Sequence, residues 1–124
     1  MITIASLEQN GYRYYENAFK RSPDLTPAQD PYKGLYQKCI RDNQGKKYFI
    51  NFHAWDFANS FAADRNVGRE VSLQAEAQFT LPNGDNINVE YLSSQRRTLP
   101  EIEAWFENTW SFMGAQHYEK NEVA

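Results

Sequence analysis

Residues 71–81 read VSLQAEAQFTL. The odd positions Val71, Leu73, Ala75, Ala77, Phe79 and Leu81 are apolar, and the even positions Ser72, Gln74, Glu76, Gln78 and Thr80 are polar. This period-two alternation predicts a strand with one buried face. Pro82-Asn83-Gly84 follows as a three-residue hairpin loop: proline presets the first turn position and glycine supplies the left-handed bulge position. Closing the loop this way pairs Phe79 with Ile87, Ala77 with Val89 and Ala75 with Tyr91. Each pair is apolar on one face, so turn chemistry and register agree.

A second hairpin is predicted around Asn43-Gln44-Gly45. A three-residue loop there opposes Ile40 to Tyr48, Lys38 to Ile50 and Tyr36 to Phe52. The other face then sets Leu35, Gln37, Cys39 and Arg41 against His53, Asn51, Phe49 and Lys47. In YFINFHAWDF, residues 48–57, the even positions Tyr48, Ile50, Phe52 and Ala54 suit a core face. The odd positions Phe49, Asn51, His53, Trp55 and Phe57 mix aromatic with polar, and suit neither core nor solvent. The connection between the hairpins, near 58–68, contains FAADRNVG and is expected to hold a short helical turn. The pattern does not specify how the hairpins are ordered in a sheet.

Thr98-Leu99-Pro100-Glu101 opens the strongest helix, with Thr98 as N-cap, Glu101 completing a capping box and Pro100 tolerated in the first turn. Ile102, Trp105, Phe106, Thr109 and Met113 follow at three- and four-residue spacing as one apolar stripe. Gly114 is placed to end the helix, and 115–124 is expected to fray.

The N-terminal 22 residues read as a shorter helix. Ser6 and Gln9 form a possible capping box, and Leu7, Gly11, Tyr14, Tyr15 and Ala18 keep helical spacing. Asn10-Gly11 offers the alternative of a hairpin turn. Pro23, Pro27 and Pro31 mark residues 23–34 as an extended connector. The expected fold is one α+β domain over 1–124. Two β-hairpins within 35–92 form a four-stranded antiparallel sheet, with a long C-terminal helix (98–114) across its apolar face. The N-terminal segment, through Tyr12, Tyr14, Tyr15 and Phe19, is expected to cover part of the other face.

Composition narrows the function. A 124-residue chain is large enough for a single core. A net charge of −3 and a pI near 5.4 argue against a general nucleic-acid binder, which is usually basic. Cys39 is the only cysteine, so neither a disulfide framework nor a thiolate metal cluster is expected. The first residues lack the basic-then-apolar pattern of a signal peptide, no apolar run is long enough to span a bilayer, and a cytoplasmic protein is the expectation.

Several chemistries are weighed and set aside. The predicted register places Cys39 opposite Phe49 and His53 opposite Leu35, too far apart for a Cys–His dyad. Asp56 has the opposite strand parity from His53. His53 and His117 are the only histidines, so no metal site is expected, and no cofactor. No phosphate-binding glycine motif is present. The register does single out one carboxylate pair, Glu76 directly opposite Glu90. Like charges so placed are unfavourable. They are relieved by water, by a basic neighbour such as Arg41, Lys47 or Arg69, or by a shared proton or bound cation.

The mixed face of 48–57 is read partly as core and partly as a partner surface, with Phe49, His53 and Trp55 beside Arg41 and Lys47. Exposed aromatics rimmed by arginine and lysine characterise protein interfaces. The expected function is a small non-enzymatic module that inhibits or modulates a protein partner, in the manner of immunity proteins or phage and mobile-element accessory proteins. A sheet that stacks nucleic-acid bases on Phe49 and Trp55 beside Lys38, Arg41, Lys46 and Lys47 is the alternative. A small-ligand enzyme using the Glu76/Glu90 face is a third reading.

Overall fold

The computed structural model of the protein describes residues 2–16, 32–43, 45–56, 72–91 and 96–123, with side chains as far as Met113 in the last stretch. In chain order the elements are α1 (Ile4–Gln9), β1 (Arg13–Glu16), β2 (Tyr32–Asp42), β3 (Gly45–Trp55), β4 (Ser72–Thr80), β5 (Asn86–Tyr91) and α2 (Leu99–Val123). The class is α+β, as expected. The sheet has five antiparallel strands rather than four, in the order β1-β2-β3-β4-β5, with every strand beside its neighbour in sequence. No helix among the described residues is long and apolar enough to cross a membrane. The expected helical turn within 58–68 and the prolines Pro23, Pro27 and Pro31 lie outside the described residues.

The fifth strand comes from the N-terminus, where the expected 22-residue helix is replaced by six helical residues and a strand. The helix is capped by Thr3 rather than Ser6. Ser6 N–H donates to Thr3 Oγ1 and Thr3 N–H donates to Ser6 Oγ, both at 3.0 Å. It ends at Asn10-Gly11, where Gly11 takes φ +88°, a left-handed conformation that closes helices and suits glycine. Tyr12 N–H returns to the Leu7 carbonyl at 3.0 Å, and the chain leaves as β1, pairing Tyr14 with Tyr36 and Tyr15 with Leu35.

The β4–β5 hairpin forms in the expected register: Phe79 opposes Ile87, Ala77 opposes Val89, Ala75 opposes Tyr91, and Glu76 opposes Glu90. Gly84 takes φ +93°, and Gly84 N–H and Leu81 N–H donate to the Leu81 and Asp85 carbonyls at 2.8 Å. The β2–β3 hairpin keeps its expected register from Leu35 through Ile40 and then departs from it. It closes on Asp42 and Gly45, Arg41 opposes Lys46 instead of Lys47, and a bulge absorbs the extra residue. Two residues on the bulged strand then face one on its partner. In consequence Lys47 joins Tyr48 on the helix side of the sheet, and Lys46 takes the other side. β2 also starts at Tyr32, inside the expected connector, with a second irregularity between Tyr32 and Gly34.

Among the described residues the buried apolar side chains lie on one face of the sheet. Tyr36, Tyr48, Ile50, Phe52, Ala54, Leu73, Ala75, Ala77 and Phe79 from the sheet meet Ile102 and Phe106 from α2, with Ile50, Phe52, Phe79, Ile102 and Phe106 fully buried. Ile2, Leu7 and Tyr12 join the same core, and the Tyr12 ring stands edge-on to Phe52 at 5.4 Å. Of the N-terminal residues expected over the second face, Tyr12 therefore packs on the helix side with Ile2 and Leu7, Tyr15 lies on the second face, and Phe19 lies outside the described residues.

Thr98 caps α2 as expected: Glu101 N–H donates to Thr98 Oγ1 at 3.4 Å, and Glu101 Oε1 accepts the Thr98 hydroxyl at 3.0 Å. The apolar stripe loses Trp105 and gains Trp110, which the expected spacing left out. Ile102 and Phe106 are buried and Trp110 and Met113 pack against the core, whereas Trp105 is 40% exposed. One residue turns a helix by about 100°, so Trp105 hangs to the side of Phe106, edge-on to Tyr91 of β5 at 5.0 Å. The helix also continues through Gly114 to Val123. A single interior glycine costs only about 1 kcal/mol, and no proline follows it.

Candidate functional site

The second face of the sheet is built from alternate residues that the core does not use. Its rows run Tyr32–Trp55–Ser72, Tyr15–Leu35–His53–Gln74, Arg13–Gln37–Asn51–Glu76–Glu90 and Cys39–Phe49–Gln78. The β1–β3 half is aromatic, and the β4–β5 half carries amides and carboxylates.

Tyr32, His53 and Trp55 interlock at one end of this face. The Tyr32 hydroxyl lies 2.7 Å from His53 Nδ1, and the Tyr32 ring centroid is 4.9 Å from Trp55 and 5.7 Å from His53. Burial first, then the charge of Glu76 and the neighbouring Tyr14, push the Tyr32 phenol above its usual pKa. His53 Nε2, on the other side of the ring, lies 3.5 Å from Glu76 Oε1. Sequence reasoning missed Tyr32, because its even number matches the core face. The irregularity at Lys33 turns it to the other side.

At the centre, Asn51 is 0% exposed. Its Oδ1 accepts from Gln37 Nε2 at 2.9 Å, and its neighbours along and across the strands are Phe49, His53 and Glu76. At the loop end, Lys46 Nζ sits 4.9 Å over the Phe49 ring, and Arg41 beside it is exposed. Four of the five residues expected at the patch fall on this face, and of these only Arg41 is exposed while Phe49, His53 and Trp55 are half-buried. Phe49, His53, Trp55 and Arg41 share the face, whereas Lys47 is on the opposite side.

There Lys47 pairs with Glu107 of α2 and lies 4.3 Å over the Trp110 ring, and Tyr48 donates to the other Glu107 oxygen at 2.8 Å. Burial raises the Glu107 pKa, but the hydrogen bonds from Lys47 and Tyr48 and the lysine charge outweigh it and hold the carboxyl below its usual value. Lys38 is likewise on the helix side, 3.6 Å from Glu103.

Glu76 and Glu90 are direct partners across the β4–β5 ladder, and among the described residues His53 reaches Glu76, while Arg69 lies outside them. Cys39 stands opposite Phe49 and His53 opposite Leu35, so thiol and imidazole are separated along the hairpin as the sequence indicated. Among the described residues no group of three or more His, Cys, Asp or Glu side chains is arranged to hold a metal ion. No protein-family model matches the chain, and no curated protein or solved structure matches it significantly.

Proposed function

We propose that this protein is a small non-enzymatic binding module that engages, and thereby inhibits or modulates, a protein partner through the aromatic half of its second sheet face. The observation that carries this reading is the interlocked Tyr32–His53–Trp55 cluster. Its rings are held by a hydrogen bond and by mutual packing before any partner arrives, so little side-chain freedom is lost on binding. Tyrosine, tryptophan and arginine in such settings supply most of the energy of protein interfaces. Tyr15, 46% exposed, extends the surface toward β1, and Arg41 and Lys46 provide a charged rim.

The nucleic-acid reading loses support from the placement of its lysines. Lys38 and Lys47 are both on the helix side in ion pairs with Glu103 and Glu107, which leaves Arg41 and Lys46 beside Phe49. Two cations next to a carboxylate-bearing half-face make a poor phosphate track.

The test is capture of a partner from the native host by the tagged protein, followed by two variants against that partner. Replacing His53 and Trp55 together with alanine should abolish capture while unfolding remains cooperative. Lys46→Glu should weaken a protein complex only modestly, since rim charges act mainly on association rate. Capture lost by Lys46→Glu but kept by the His53/Trp55 variant would overturn the proposal.

A further inference from the structure

β5 is an outer strand, and among the described residues no strand pairs with its far edge. The bond from Leu81 N–H to the Asp85 carbonyl sets the alternation of the ladder. Backbone groups of Ile87, Val89 and Tyr91 turn toward β4, and those of Asn86, Asn88 and Glu90 turn outward. Sheet edges are commonly blunted by lysine, proline or a bulge. β5, NINVEY, has none of these and a regular register.

An apolar strip runs beside this edge. Ile87, Val89 and Tyr91 are half-buried, and Trp105 and Phe112 are 40% and 66% exposed. Seven residues apart, the two share a side of α2, and the contact of Trp105 with Tyr91 turns that side toward β5. Nothing in the core uses Phe112.

We propose that the occupant of this edge is a second copy of the chain, with two β5 strands pairing antiparallel about a two-fold axis through Asn88. The register is self-complementary. On the helix side Ile87 meets Val89 of the partner copy, and on the polar side Asn86 meets Glu90 of the partner copy. Thr80 Oγ1 donates to Asn86 Oδ1 at 2.8 Å, which leaves that amide to present its N–H donors, the complement of a carboxylate. Glu90, opposed within its own chain by Glu76, gains a donor on its other side that offsets this like charge. A two-fold normal to the sheet keeps both helices on one face and brings Trp105 of one copy toward Phe112 of the other. At the opposite edge β1 is four residues long and begins and ends in charge, so the assembly closes at two copies.

Light scattering on the purified 124-residue chain, from low to high micromolar concentration, tests this directly. The mass should rise from 14.5 kDa toward about twice that value. Asn88→Pro removes only an outward N–H, and Phe112→Glu alters an exposed side chain. Each should hold the protein at the monomer mass, with a melting temperature that matches wild type at low concentration, where wild type is monomeric too. In a Cys39→Ser background, Asn88→Cys should oxidise to a covalent dimer, because paired residues on the axis are within disulfide reach. Asn86→Cys, two pairs away from the axis, should not. A monomer at every concentration, or a dimer indifferent to both Asn88→Pro and Phe112→Glu, would overturn the proposal, as would cross-linking through Asn86→Cys alone.

Discussion

Lys47 and Glu107 join the sheet to the last helix. The pair exists because the β2–β3 hairpin closes on Asp42 and Gly45 and carries a bulge, which rotates Lys47 onto the side of Tyr48. A lysine that regular alternation assigns to the outer face thus becomes part of the packing beneath α2, with its stem against Trp110.

This contact makes a small part of the stability depend on pH. The Glu107 carboxyl has a lower pKa folded than unfolded, since the bonds from Lys47 and Tyr48 and the lysine charge outweigh its desolvation. Its contribution is present at neutral pH and is lost as pH falls through the folded value. Because the side chain is 43% exposed, solvent screens the effect. Urea denaturation of wild type and Glu107→Gln should show a stability gap at about pH 7 that narrows as pH falls through and below the ordinary carboxylate range. A gap that is constant with pH would mean that the glutamate charge plays no part.

Gly84→Val should destabilise by about 1–2 kcal/mol. A Cβ at Gly84 would meet nothing within 4 Å, so the cost is the φ of +93° alone, which a β-branched residue adopts with strain. Thermal melting of the variant checks it, and an unchanged midpoint would contradict the bulge-type turn.

Phe106→Ala should cost about 3–5 kcal/mol, since the ring is fully buried and truncation leaves a cavity. Trp105→Ala, one residue earlier, should cost nearer 1 kcal/mol, because the indole is 40% exposed and leans on Tyr91. Comparable losses in chemical denaturation would place Trp105 in the core.

Why these residues separate so differently also explains what the sequence could convey. The β4–β5 hairpin was readable residue by residue because strict alternation and the Pro82-Asn83-Gly84 turn specify one register. The β2–β3 hairpin was readable from Leu35 to Ile40 and misread at its ends. The shorter closure at Asp42 and Gly45 and the irregularity at Lys33 are backbone events that change which side chains share a face without changing the pattern. Those two shifts moved Lys47 out of the candidate site and brought Lys46 and Tyr32 into it. Asn10-Gly11 was legible as a possible turn, but the packing of Leu7 and Tyr12 beneath the sheet followed from tertiary contacts. Phe49, His53, Trp55 and Arg41 fell together because the interior of the hairpin is regular.

The most direct measurement is calorimetric titration of a captured protein partner into wild type and Trp55→Ala. Trp55 packs on Tyr32 at the end of the second face, and an aromatic anchor there is worth about 2 kcal/mol, roughly a 30-fold change in Kd. The expected result is a loss of that size or greater with a cooperative fold retained, while Phe112→Glu on the β5 side binds like wild type. Unchanged affinity for Trp55→Ala, or affinity lost instead through Phe112→Glu, would contradict the assignment of partner binding to the Tyr32–His53–Trp55 face.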